Sequence, residues 1–375
     1  MKKTIYFTLG LLFVITHISC HHRGGVTDSI FNGEIRYIDD SQKIVMHVTA
    51  RHLPLEGQYH GMIAVYDSLL ICHNPKLPYY VFNVFNVNTG EEIGSFVRKG
   101  IGPQEAVTTS SITQFFKREN DLMALVHGFN ENRLFTWNIS QSLVRGTTVF
   151  DTIVTHNGRS EINNAHYLFI FKIGHDTLLA SVPPINLTFD SRDESVAMPF
   201  LEKRSISTNE LIEVFPPIYT EEIVQRRTRQ RGFSRSFFLG WHAIKPDASK
   251  FVETMNRLPQ INIIDLHTGE VTGFRARGGI DFSHFHRRNW IESRYYIVVQ
   301  ADNNFIYATY WGKNDIPNTI HVFDWQGRLL YELKTDQHFF EIWLCQVRNR
   351  LYTILWDNDE VYYIELNELN LRTPT

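Results

Sequence analysis

Short alternations of apolar and polar residues run down this chain, and turns containing Asn, Asp or Gly separate them. The clearest example is 84–106, where an alternating strand meets the turn Asn-Thr-Gly-Glu, a second strand and a Gly-Pro-Gly-rich exit at 99–103. Two apolar runs joined by such a turn are typical of a β-hairpin. No long stretch has a helical hydrophobic period, and 220–229 is the nearest to a short surface helix. The pattern predicts an all-β fold.

Pairs of hairpins recur as a four-stranded unit along the chain. The spacing of these units is roughly 40 to 70 residues, which fits propeller blades with insertions. The six units begin and end at the following positions: 62–98, 111–150, 167–215, 237–275, 295–333 and 340–366. The repeat predicts a ring of six blades.

The sixth unit lacks its fourth strand, while the N-terminal region offers spare strands at 34–39 and 43–48. A strand from the N-terminal region that joins the last blade would close the ring and remove an open sheet edge. We therefore predict a six-bladed β-propeller formed by a single domain, 32–375. The alternative is a seven-bladed propeller, in which the irregular region 278–289 hides a poorly formed blade.

The first residues predict export. Met1-Lys2-Lys3 is basic, and the apolar run 5–18 that follows is too short for an ordinary membrane-spanning helix. The leader reaches Cys20 and resembles a bacterial lipoprotein signal. This resemblance implies removal of 1–19 and acylation of the Cys20 sulfur. Residues 20–31 would then be a lipidated tether, without the acidic run associated with surface export. We expect the periplasmic face of the outer membrane; a plain signal peptide is the alternative.

The exit motif of the first unit, Gly100-Ile101-Gly102-Pro103-Gln104-Glu105, resembles a turn of TolB-like six-bladed propeller lipoproteins of Bacteroidetes. The resemblance covers this motif, the lipoprotein signal and the number of blades. It implies the propeller fold and a location in the cell envelope, and it carries over no catalytic residue.

Composition adds little about partners. The net charge is −3, which gives no global reason to expect nucleic-acid or membrane-surface binding. Cys72 and Cys345 both lie in apolar runs, so we expect two buried free thiols. A disulfide between them is the alternative that an exported protein allows.

The longer connections all fall on one face of the predicted ring. Strands in a blade alternate in direction, so connections from the second to the third strand and from blade to blade emerge together. The long segments of this face are 74–78, 99–110, 151–166, 183–195, 216–235, 276–294 and 312–318. Long loops in a compact domain often carry function. The alternative is elaboration without a function.

Basic and aromatic residues concentrate on the same face, where arginine suits carboxylates, sulfates and phosphates. The candidate ligand-binding residues are Arg98, Lys99, Arg275, Arg277, His284, His286, Arg287, Arg288, Trp290 and Trp311. Ion pairing along a solvated rim is the competing interpretation. His284 and His286 would hold a metal only with a third ligand, which no spacing supplies. We predict neither a metal site nor a cofactor, and no catalytic residue is identified.

Three hypotheses follow. The first is a non-enzymatic propeller, anchored in the membrane through Cys20, that binds a protein or glycan partner through the long-loop face. The alternative is a hydrolase or lyase that acts on an anionic saccharide or lactone at the central channel. The third is a purely structural envelope component. None of the three involves nucleic acid.

Overall fold

The structure of the protein is a computed structural model. It describes residues 29–57, 59–128, 133–155, 160, 162, 167–183, 199–220, 222, 240–278, 294–312, 317–355 and 358–372. No helix in these ranges is both long and apolar enough to cross a membrane.

Three short strands come first in the chain, followed by the strands of the first three blades. The first three are β1 (Glu34–Tyr37), β2 (Ile44–Val48) and β3 (Arg51–His52). Blade 1 contains β4 (Met62–Tyr66), β5 (Leu69–His73), β6 (Tyr80–Asn86) and β7 (Glu92–Arg98). Blade 2 contains β8 (Phe115–Arg118), β9 (Asp121–Gly128), β10 (Arg133–Asn138) and β11 (Phe150–Thr155). Blade 3 contains β12 (Phe169–Lys172), β13 (Thr177–Val182), β14 (Phe200–Ser205) and β15 (Leu211–Val214).

The remaining strands form three more antiparallel blades. Blade 4 contains β16 (Gly240–Ile244), β17 (Lys250–Met255), β18 (Gln260–Asp265) and β19 (Val271–Arg275). Blade 5 contains β20 (Tyr296–Ala301), β21 (Phe305–Tyr310), β22 (Thr319–Asp324) and β23 (Leu329–Thr335). Blade 6 contains β24 (Phe339–Cys345), β25 (Arg350–Leu355) and β26 (Val361–Glu365), and a 3-10 helix follows at Leu366–Leu369.

The six sheets form a ring, which confirms the predicted six-bladed β-propeller. The first strand of each blade lies nearest the axis. The innermost strand of blade 4, β16, packs directly beside β20 of blade 5. No blade therefore lies between them, and the seven-bladed alternative is wrong.

A strand from the N-terminal region closes the ring, as predicted, but not with the residues expected. β3 pairs antiparallel with β26 and supplies the fourth strand of blade 6. The spare strands proposed for this role instead add fifth strands to other blades: β1 pairs parallel with β19, and β2 pairs parallel with β23. Residues 29–56, here called the N-terminal belt, thus cover the outer edges of blades 4 and 5 before closing blade 6.

The connection between β10 and β11 contains a helix that the alternating pattern did not predict. The helix α1 spans Ile139–Arg145. The side chain of Asn138 accepts a hydrogen bond from the Gln141 amide at its start, and Gly146 ends it in the left-handed conformation. The last part of the second predicted unit, 143–150, was expected to be a strand, and the fourth strand of this blade instead begins at Phe150. With only seven residues, α1 is too short to show a period.

Apolar packing between neighbouring blades forms the core. Phe82 of blade 1 stacks on Trp137 of blade 2 with ring centroids 5.2 Å apart. The indole of Trp343 in blade 6 donates a hydrogen bond of 2.9 Å to the carbonyl of Val65 in blade 1. The stacked pair of Phe82 and Trp137 adds about 1 kcal/mol beyond its area burial. Cys72 and Cys345 are both free and buried, as expected.

The belt meets blade 1 at Gly90, and this contact generates the first prediction. Gly90 has a φ of +80°, and a Cβ there would lie 2.2 Å from the carbonyl oxygen of Pro54. Gly146 has a φ of +64° but nothing within 4 Å of its Cβ position. Gly146→Ala should cost about 1–2 kcal/mol for its backbone conformation alone. Gly90→Ala should cost clearly more, because Pro54 must also move. Urea unfolding measures both variants, and equal losses would contradict the close approach.

A buried carboxyl at the junction of blades 6 and 1 generates the second prediction. Glu341 is 5% exposed and accepts a hydrogen bond of 3.1 Å from the Ile63 amide. Burial raises the pKa of its carboxyl from 4.5 to about 8. The unfolded chain therefore loses this proton at a lower pH than the folded protein, so stability falls as pH rises from 4.5 to about 8.

Glu341→Gln keeps the acceptor oxygen and removes the titration. We expect the variant to gain stability over the wild type by a few kcal/mol as pH rises across this window. Urea unfolding of both proteins at acidic and mildly alkaline pH measures the gain. A difference that does not change with pH would show that Glu341 is ionised in the folded state.

Candidate functional site

The two faces of the ring differ in the length of their connections. The face reached by the ends of β7, β11, β13, β15 and β19 is here called the long-loop face. Its longest connections span 99–114, 156–168, 183–199, 215–239 and 276–295. The opposite, tight-turn face has short hairpin turns, apart from the connection that contains α1. The strand bounds thus agree with the one-sided distribution expected from the sequence.

Several predicted residues cannot be placed on this face. Cys20, His284, His286, Arg287, Arg288 and Trp290 lie outside the described residues. The other five predicted binding residues belong to blades 1, 4 and 5: Arg98, Lys99, Arg275, Arg277 and Trp311.

Lys99 and the exit motif of blade 1 make hydrogen bonds that fix the connections of this blade on the long-loop face. The Lys99 ammonium donates hydrogen bonds to the carbonyls of Pro75 and Leu77, at 2.9 and 2.5 Å. The Glu105 carboxylate folds back to accept from the Gly102 amide at 3.0 Å, and a Cβ at Gly100 would lie 2.0 Å from the same carboxylate oxygen. The glycines of the motif therefore make room for Glu105.

Arg133 of blade 2 fixes the same motif from the other side. Its guanidinium donates to three carbonyl oxygens, those of Gly102, Pro103 and Glu105, at 2.8 to 3.0 Å. The motif is thus a rigid turn built from its own side chains and one neighbouring arginine.

This rigid turn presents an exposed apolar patch, here called the blade 1 patch. Its apolar members and their exposed fractions are Tyr79 (67%), Tyr80 (38%), Ile101 (88%) and Val107 (43%). Arg98 borders the patch with its side chain 69% exposed and its Nε 3.5 Å from the Glu105 carboxylate. Tyr80 pairs across strands with Arg98, and the Lys99 amide bonds to the Tyr79 carbonyl, so these residues are neighbours.

Arg275 is the outer end of a buried polar chain through blade 4. Its Nε donates to Gln260 at 2.7 Å, and Gln260 donates to Asn262 at 2.6 Å. Asn262 donates to the Glu253 carboxylate at 3.2 Å, and His242 on the innermost strand lies 3.5 Å from that carboxylate. The structure therefore places Arg275 in a network that positions groups inside the blade.

Arg277 and Trp311 lie outside the polar network of Arg275, and each takes part in a cation–π contact. The Arg277 guanidinium lies over the ring of Tyr37, 5.6 Å from its centre. It lines a cavity of about 840 Å³ between blades 4 and 5, together with Arg36 and Arg328. Trp311 is only 7% exposed and packs under the guanidinium of Arg294 at 4.7 Å.

A second candidate site lies in the central channel. A cavity of about 540 Å³ is lined by the innermost strands of all six blades, near the ends where these strands enter the tight-turn face. Turn residues such as Gly174, Pro246 and Val347 form its rim. This site is therefore on the side opposite the blade 1 patch.

The channel cavity is cationic. Lys117 and Lys172 line it, and none of its described lining residues is Asp or Glu. Burial lowers the pKa of the Lys172 ammonium, and the nearby Arg118 guanidinium acts in the same direction. Three glutamines and several aromatic rings make up much of the remaining wall: Gln114, Gln300, Gln346, Tyr66, Phe115, Phe116, Phe171 and Trp343.

His242 also lines this cavity, and its surroundings are those of a packed wall residue. Its ring stacks on Phe251 at 5.2 Å and meets Phe169 edge-on at 4.8 Å. Its Nδ1 has no hydrogen-bond partner among the residues that the structure describes. No group of three His, Cys, Asp or Glu side chains suited to a metal occurs among the described residues.

Lys117 and Lys172 are not among the binding residues predicted from the sequence. Both stand in or at the end of the first strand of a repeated unit, immediately before its first turn. A lysine at that position of a propeller unit indicates a residue that lines the central channel, because the first strand of each blade is the innermost one.

Comparison with known proteins agrees with the fold. No protein-family model and no curated protein matches the chain, so the resemblance to TolB-like lipoproteins stays a prediction. A member of the DUF4221 family from Bacteroides vulgatus is similar in structure, with a TM-score of 0.50 and 11% identity over 91% of this chain and 97% of that one.

Two further solved structures are similar at slightly lower TM-scores. A protein from Bacteroides fragilis, described only as exported, gives 0.49 with 10% identity, over 86% of this chain and 99% of that one. A gluconolactonase from Xanthomonas campestris gives 0.47 with 12% identity, over 84% of this chain and 89% of that one. At such identities the similarity concerns the fold alone.

Proposed function

We propose that this chain is a lipid-anchored propeller of the cell envelope that binds a protein partner through its long-loop face. The observation that carries the proposal is the blade 1 patch. Tyrosine, isoleucine and arginine side chains exposed together on one surface are typical of protein-binding sites, where aromatic residues and Arg supply most of the affinity.

Rigidity of the patch supports binding. Ile101 is held in place by Gly100 and Gly102, which are fixed by Glu105 and Arg133. A surface that is already ordered loses little conformational entropy when a partner docks. An exposed isoleucine on a rigid turn therefore offers a partner an apolar contact at little entropic cost.

The anchor supplies the location. The basic and apolar leader ends at Cys20, and few residues separate this cysteine from the start of the belt. Acylation there would hold the propeller close to the membrane, on the periplasmic face of the outer membrane.

The channel cavity favours a second candidate function. A hydrolase or lyase for an anionic saccharide or lactone would use the cationic wall of Lys117 and Lys172 to hold its substrate. The described lining supplies binding groups for an anion, and it supplies no carboxylate for acid–base chemistry. The binding protein is therefore the better-supported candidate.

The third prediction concerns the anchor. Cys20→Ser should move the protein from the membrane fraction to the soluble fraction and abolish labelling by palmitate, because no sulfur remains for acylation. Cys345→Ser is the matched control, since it removes a buried thiol and leaves the leader intact. Fractionation with metabolic labelling measures both. A Cys20→Ser protein that stays labelled and membrane-bound would exclude this anchor.

The fourth prediction concerns the partner. A photoreactive residue at Ile101 should crosslink the full-length protein to one discrete protein in cells, because this side chain is the most exposed apolar member of the blade 1 patch. The control is the same residue at Val144, which is 81% exposed on α1 at the tight-turn face. Ile101→Ser should abolish crosslinking from Tyr79, whereas Val144→Ser should not.

Mass spectrometry identifies the adducts. Equal crosslinking from positions 101 and 144 would show non-specific contact. Adducts that contain sugar instead of protein would replace the protein partner by a glycan.

A further inference from the structure

We propose that the cavity at the tight-turn end of the central channel binds a small sugar acid, with Lys117 and Lys172 holding its carboxylate. This site is separate from the blade 1 patch, on the opposite face of the ring, and does not depend on the proposed protein partner.

Charge is the first argument. The Lys117 ammonium lies over the ring of Tyr66, 6.0 Å from its centre, and no carboxylate among the described residues pairs with it. The neighbouring Arg118 is already paired with Asp151 at 3.0 Å. Lys117 thus presents a positive charge to a cavity whose lining contains no acid, and an anion would balance it.

Lys172 is held in position by its surroundings. Its ammonium donates to the carbonyls of Gly174 and His175 and lies over the ring of Phe116 at 5.5 Å. A cation fixed in this way needs no reordering when an anion arrives. Burial and the neighbouring Arg118 lower the pKa of this ammonium, Asp176 acts in the opposite direction, and a bound anion would add to the effect of Asp176.

The rest of the wall suits hydroxyl groups and the faces of a sugar ring. The Gln114 carbonyl accepts from the Lys172 amide at 2.8 Å, which leaves its NH₂ group as a donor. Gln300 and Gln346 add two more amides. Phe115 lies edge-on to Trp343 with ring centroids 5.7 Å apart, and such aromatic surfaces pack against the apolar faces of sugars.

Size agrees with this class of ligand. A cavity of about 540 Å³ falls within the range of roughly 300–1,000 Å³ that small-molecule sites occupy. One carboxylate, several hydroxyls and an apolar ring face together define a uronic acid of one or two units.

Ligand-observed NMR titration of the purified full-length protein tests the proposal with three probes. D-galacturonate should bind. D-galactose, which has a neutral hydroxymethyl group in place of the carboxylate, should bind at least about tenfold more weakly, because the charge-assisted hydrogen bonds are lost. Inorganic phosphate should compete only weakly, since it cannot use the amides and rings. Added salt should weaken galacturonate binding.

Variants locate the site. Lys117→Met should weaken galacturonate binding at least about tenfold, whereas Lys117→Arg should retain most of it. Lys76→Met, which removes an exposed charge on the long-loop face, is the matched control and should bind normally. Lys172→Met should behave like Lys117→Met, and Lys172→Arg guards against loss of the turn that Lys172 stabilises.

Four results would overturn the proposal. They are equal binding of galactose and galacturonate, phosphate binding without galacturonate binding, unchanged affinity in Lys117→Met, and no binding of any probe at millimolar concentration. None of these results bears on crosslinking from Ile101, so the two proposals fail independently.

Discussion

The open edge of the last blade is the constraint on which this structure depends. Blade 6 has three strands from the C-terminal region, and an unpaired strand edge invites association with other chains. The belt supplies the missing strand, β3, and on the way it adds β1 and β2 to blades 4 and 5. Backbone hydrogen bonds along the outer edges of blades 4, 5 and 6 thus replace contacts with water or with other molecules. The N-terminal belt therefore closes the ring along its outer side.

Because the ring is closed, each face has a fixed backbone framework, and the two faces carry different kinds of side chain. On the long-loop face, Arg133 and Glu105 turn a glycine-rich exit into a rigid support for Ile101. On the tight-turn face, the six innermost strands converge on a cavity with two lysines. One surface is apolar and bordered by Arg98, and the other is a cavity with a cationic wall. Two binding events of different chemistry are therefore compatible in one molecule.

Local patterns in the sequence predicted the blades well, since strand alternation and tight turns depend on adjacent residues. The parallel pairing of β1 with β19 was not predictable in the same way, because no turn joins the two strands. For the helix α1, the sequence signals were its two capping residues, Asn138 and Gly146. The burial of Arg275 depends on Gln260 from the neighbouring strand, and spacing along one strand cannot reveal it. Lys117 and Lys172 become meaningful only once the first strand of each unit is known to be innermost.

The order of strands also determines how the ring can form. Belt residues pair with strands that lie far along the chain, as in Arg51 with Tyr363 and Ile44 with Tyr331. Closing such long loops costs entropy that local hairpins do not pay, so the blades should form before the belt is seated. Until β26 is available, β3 has no partner in blade 6, and the edges of β19 and β23 stay open.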